Sequence, residues 1–175
     1  MAEAEQLLQD MMEQYCKPVS SSVYPDMKKL REVLTLLSDQ QKLHILKPKL
    51  LHILKQKHPV LTPLRRAAAK NHTEIINTLL SSLQSSADRF RLLMVIVDDE
   101  DTPLHTAAFW GNTESVKMIL DCLTLDQQIQ IMSVQCRGDT AIQLAENDRH
   151  TDTVRVLTEY QHRACGESVI IFNNY

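Results

Sequence analysis

The sequence predicts an all-α solenoid of stacked helical hairpins, and three observations carry that expectation. A twenty-residue pattern recurs in register at Leu61–Leu80, Asp101–Leu120 and Asp139–Thr158. Within each copy the apolar residues fall at helical period, i, i+3, i+4. No single copy can bury its apolar face alone, so the copies must pack on one another.

The central copy, DTPLHTAAFWGNTESVKMIL, justifies each element. Pro103 suits the first position of a helix, where its missing N–H costs nothing and its fixed φ is already helical. Ala107 and Ala108 keep one face thin enough for a neighbour to approach, and Gly111 ends the helix by permitting positive φ. Val116, Ile119 and Leu120 then share one face of a second helix. The order Thr102, Pro103, Leu104, His105, Ala107, Ala108, Gly111, Glu114, Val116, Ile119, Leu120 resembles the signature of the ankyrin repeat. The resemblance implies a binding role rather than catalysis, and a structural His105 bonded to neighbouring backbone.

The units are longer than the family's roughly thirty-three residues. From Thr62 to Thr102 is forty residues and from Thr102 to Thr140 thirty-eight. The added chain reads as a short third helix: Ser85 to Asp88 and Thr124 to Gln127 resemble capping boxes, each followed by apolar residues at helical spacing. Ser38 to Gln41 repeats that signal after Leu30, Val33, Leu34 and Leu37, which marks the rear half of a degenerate earlier unit. The connection from there to Thr62 is eight residues too long, and LHILK at Leu43–Lys47 recurs at Leu51–Lys55, a tandem duplication interrupted by Pro48. The expected organisation is an amphipathic capping helix and linker over 1–25, a stack over 26–160 (units 26–60, 61–100, 101–138 and 139–160), and a tail over 161–175. Leu7, Leu8, Met11, Met12 and Tyr15 form the apolar stripe of the capping helix. Val169–Phe172 reads as an extended strand covering the last unit, or as the start of another finger of a longer array.

Composition limits the function classes. No apolar run reaches the roughly eighteen residues of a membrane span, and the acidic start does not read as a signal peptide. Cys16, Cys122, Cys136 and Cys165 form no C-x-x-C pair, which favours idle thiols in a reducing compartment, cytoplasmic or nuclear. Only three glycines occur, too few for a phosphate-cradling loop. The run Asp98–Asp101 lacks the alternating oxygens of a calcium loop and reads as a solvated turn. No catalytic residue, metal site or cofactor is expected.

The resemblance localises binding to the two positions after the Ala pair and to the finger loops before each Thr. Those positions are Ala69 and Lys70, Phe109 and Trp110, Asn147 and Asp148 on the helices. The finger positions are His58, Pro59 and Leu61; Asp98, Asp99 and Asp101; and Cys136, Arg137 and Asp139, of which the third finger alone keeps a tip glycine, Gly138. Lys70, Asp98, Asp99, Asp101, Phe109, Trp110, Arg137, Asp139, Asn147 and Asp148 are the candidate partner contacts. The adjacent aromatics Phe109 and Trp110 stand out as an anchor for another protein. An alternative packs Phe109 beneath the neighbouring finger and lays Trp110 over a loop.

Charge is segregated along the chain: 28–70 carries eleven cations against two carboxylates, and 71–175 seven cations against fifteen. Two further readings follow: head-to-tail self-association through opposite ends, and an adaptor docking an anionic surface through Lys42–Lys70. Neither nucleic acid nor a membrane surface is expected as the main partner, although the formal net charge is only −3. A regulatory domain or subunit of a larger enzyme is the remaining alternative.

Overall fold

The structure is a computed structural model that describes residues 2–16, 24–46, 62–95 and 101–172, with side chains described to residue 166. The second copy of the duplication, Pro48, and the finger positions His58 to Leu61, Asp98 and Asp99 lie outside the described residues.

Eleven helices follow one another among the described residues: α1 (Ala2–Cys16), α2 (Met27–Leu36), α3 (Asp39–Leu46), α4 (Pro63–Ala69), α5 (Thr73–Ser81), α6 (Ser86–Leu93), α7 (Pro103–Phe109), α8 (Thr113–Asp121), α9 (Leu125–Ser133), α10 (Ala141–Asn147) and α11 (Thr151–Phe172). The inner helices α4, α7 and α10 stand side by side, α5 packs on α8, and α8 on α11. Every inner helix begins alike. The hydroxyls of Thr62, Thr102 and Thr140 accept from the backbone N–H three residues on, and proline occupies the first turn of α4 and α7.

Each inner helix also ends alike. In α7 the N–H of Gly111 donates to the Ala108 carbonyl and that of Asn112 to the Ala107 carbonyl, with Gly111 at φ 65°. This paired closure satisfies carbonyls the helix leaves open. Asn71 and Arg149 take the same left-handed position in α4 and α10, at φ 54° and 61°. Gly111 has a second reason to be glycine: a Cβ there would lie 2.5 Å from the Nδ1 of His150.

The added segments are helices integral to the core. Leu92 and Leu93 of α6 and Ile131 and Met132 of α9 are buried. Thr124 and Gln127 close a reciprocal capping box, as do Ser38 and Gln41. Ser85 caps α6 only one way, accepting from the Ala87 N–H, while Asp88 pairs with Arg91 at 3.1 Å. The aspartate side chain is one methylene shorter than the Glu or Gln that the reciprocal box employs.

The front of the first unit is supplied by α1. Its buried stripe, Leu8, Met12 and Tyr15, packs against α2, α3 and α4. Side-chain bonds show which place it fills. Asn112 reaches back to the carbonyls of Ala68 and Ala69 on α4, and His150 reaches back to that of Phe109 on α7. His72, at the equivalent position, shares a 2.8 Å bond with the Tyr15 hydroxyl on α1. Thus α1 stands where an inner helix of the first unit would stand. α1 carries Glu3, Glu5, Asp10 and Glu13 and no lysine or arginine over Ala2–Cys16, so it sets acidic side chains beside the first unit.

At the other end the expectation of a strand fails. α11 runs without interruption through residues 169–172. A β-branched run favours strand only where a pleated partner is present. Here the preceding helix, already docked on α8, α9 and α10, continues through it.

Candidate functional site

The surface singled out by the repeat pattern is built from the carboxyl ends of the inner helices. Lys70, Trp110 and Asp148 are the C-cap residues of α4, α7 and α10, so the side-by-side packing of those helices sets them in one row. All three are exposed, as are Phe109 and Asn147. Phe109 and Trp110 are 43% and 58% exposed, and their rings meet edge to face with centroids 5.3 Å apart. An aromatic pair in that geometry gains from its own contact while leaving both outer faces open.

The backbone under this pair is held from the third unit. His150 Nε2 donates to the Phe109 carbonyl at 2.9 Å, and the hydroxyls of Thr113 and Thr153 meet at 2.8 Å. From the other side, Asn112 caps the end of α4 and the Ser115 hydroxyl meets the Asn71 side chain at 2.8 Å. The repeat pattern did not single out Asn112 or His150. Their shared position, immediately after the left-handed residue, is the sequence signal for this role.

The third finger is a tight hairpin. Cys136 and Asp139 exchange two backbone bonds of 2.9 and 3.1 Å, and positive φ at Arg137 (55°) and Gly138 (95°) matches the two-residue turn with both central residues left-handed. Arg137 is exposed at its tip, and Asp139 and Asp101 are half-buried.

His105 ties this finger to α7. Fully buried, it donates from Nε2 to the Val134 carbonyl at 3.0 Å, and its Nδ1 meets the Thr102 hydroxyl at 2.8 Å. Arg65 takes the equivalent place in the preceding unit, with its Nε 3.5 Å from the Thr106 hydroxyl. Burial pushes the His105 imidazole below its ordinary value of 6.5, against opposing pulls from the Val134 carbonyl, Asp101 and Asp139. Burial likewise lowers His72, assisted by Lys70 and Arg66. A depressed histidine takes up its proton in the unfolded chain first, so stability is complete above the unfolded value and falls as pH drops through it. The urea midpoint should therefore decrease from about pH 7.5 to 5.5, and His105→Gln should flatten the slope. A midpoint that rises on acidification, or an unchanged slope in the variant, would contradict this role.

Among the described residues no group of three His, Cys, Asp or Glu is placed to hold a metal ion, and no helix is long and apolar enough to cross a membrane. A cleft of about 730 Å³ between α2 and α5 is lined by Arg31, Thr35, Lys42, Asn77 and Ser81 among others. The Lys42 ammonium in it already holds the Ser82 carbonyl at 2.7 Å and Asp39 at 3.3 Å, and so joins the first unit to the second.

Short paired helices, stacked inner faces and a projecting hairpin finger define a repeat solenoid. The chain belongs to the ankyrin-repeat family, whose three-copy model matches residues 33–131. It is 35% identical over 89 residues, half of its length, to protein phosphatase 1 regulatory subunit 12A of Mus musculus and of Rattus norvegicus. The match spans 7% of the length of those relatives. A chain in the crystal structure of the yeast ribosomal protein Rps3 in complex with its chaperone Yar1 aligns with a TM-score of 0.58 at 19% identity, covering 90% of this chain and 92% of that one. At that identity the likeness is one of fold.

Proposed function

We propose that this chain is a non-enzymatic protein-binding module and that its partner docks over the inner-helix ends, with Phe109 and Trp110 as the anchor. The observation that carries this reading is the exposure of two adjacent aromatic rings on a rigid, doubly braced helix end. Large aromatics on pre-ordered backbone lose little conformational entropy on binding and dominate interface energy. Lys70, Asp101, Arg137, Asp139, Asn147 and Asp148 form the polar rim; Asp98 and Asp99, candidates from the sequence, lie outside the described residues. Two comparisons support the reading: one relative is named as a regulatory subunit, and the structural neighbour comes from a complex of a ribosomal protein with its chaperone.

Trp110→Ala tests it. The side chain is more than half exposed, so the substitution should change stability by less than about 1 kcal/mol. Affinity for a partner recovered by unbiased pull-down should fall about tenfold or more. Quenching of this sole tryptophan by a soluble quencher should be efficient in the free protein and suppressed in the complex. A variant that binds the recovered partner normally would remove the anchor from the proposal.

A further inference from the structure

We infer that the row Lys70, Phe109–Trp110, Asp148 orients its partner. The occupant is an extended segment carrying an acidic residue over α4, an apolar side chain over the aromatic pair and a basic residue over α10. This rests on the docking reading above and adds to it the chemistry and direction of what docks.

The three positions are equivalent in the repeat, yet their chemistry runs from cation through aromatic to anion. Lys70, Trp110 and Asp148 each close an inner helix and each is exposed. Among the described residues neither Lys70 nor Asp148 takes part in an ion pair, in contrast with Arg31–Glu74, Lys117–Glu114 and Arg155–Glu159 nearby on the second helices. At the acidic end Glu146 is exposed as well, and it offsets Arg149 in the turn beyond. The aromatic pair therefore has a cation one unit to one side and a net-acidic group one unit to the other. A segment of matching polarity gains at both ends. The reversed segment sets like charges together at both.

The spacing fixes a length. Packed helices lie roughly 10 Å apart, so Lys70 and Asp148, two units apart, are separated by about 20 Å. An extended chain rises about 3.3 Å per residue, which places the partner's acidic and basic residues about six positions apart. The rim charges select the partner and its direction, and the aromatic centre supplies the larger part of the affinity.

The test uses a displayed library of random sixteen-residue peptides selected on the immobilised full chain, with Trp110→Ala, Lys70→Glu and Asp148→Lys chains as comparisons. Enriched peptides should carry an apolar residue flanked by an acid on one side and a base on the other, about six positions apart. Lys70→Glu should weaken such a peptide about fivefold, and exchanging the peptide's acidic residue for lysine should restore binding to that variant. Asp148→Lys should behave likewise toward the basic residue. Peptides that need Trp110 but respond to neither charge reversal would overturn the orientation and leave the aromatic anchor standing. Peptides that bind Trp110→Ala as well as the original chain, or no enrichment over that variant, would overturn both.

Discussion

Leu93→Ala is expected to lower the stability of the whole stack by about 3 kcal/mol. The side chain is fully buried on α6, one of the helices that lengthen each unit beyond the usual repeat. If α6 were an ornament on the hairpins, truncating it would be nearly silent. Its neighbours say otherwise: α6 packs on α3, the Gln127 side chain of α9 reaches the Ser86 carbonyl at 3.5 Å, and Arg89 holds the Leu83 and Gln84 carbonyls. Removal of Ser85–Met94 altogether should cost more than the single substitution and broaden the transition, because neighbouring units would lose a shared layer. Equilibrium unfolding in urea, followed by far-ultraviolet dichroism, reads both effects. Unchanged midpoints in either chain would show that the third helices do not belong to the folded unit.

Gly111→Ala should be the second large effect, about 2 to 3 kcal/mol. Two causes act at one atom. A side chain at φ 65° is strained by roughly 1 kcal/mol or more, and the added Cβ would meet the His150 ring at 2.5 to 2.8 Å. Moving that ring breaks its bond to the Phe109 carbonyl, a further loss of about 1 kcal/mol. The two causes separate in a double-mutant cycle. With His150→Ala already present the clash is gone, so Gly111→Ala should then cost only about 1 kcal/mol. Strictly additive losses would mean that the ring and the glycine do not constrain each other.

The stack and its third helices were legible because their signals are local. Thr102 before Pro103, the alanine pair, Gly111, and a hydroxyl three residues ahead of a glutamine at Thr124 and Ser38 each act within one turn of chain. The candidate row was legible for the same reason: equivalent positions in a repeat become neighbours when the repeats stack. What escaped depends on distant contacts. α1 has none of the inner-helix signature, and its packing on α2, α3 and α4 together with the bond from Tyr15 to His72, fifty-seven residues away, shows which place it takes. His150 and Asn112 act on helices some forty residues upstream. Residues 169–172 were misread because a β-branched run was weighed by propensity alone, without the docked helix that leads into it.

The bond from His150 to the Phe109 carbonyl gives the aromatic pair a thermodynamic partner in the third unit. Any ligand that requires Phe109 and Trp110 in this arrangement binds states in which that bond is made more tightly than states in which it is broken. By linkage it then shifts the opening equilibrium of α10 and the start of α11 toward the docked form. Amides there should exchange more slowly in the complex even where no ligand atom touches them, so that occupancy at the centre of the row is registered in the neighbouring unit.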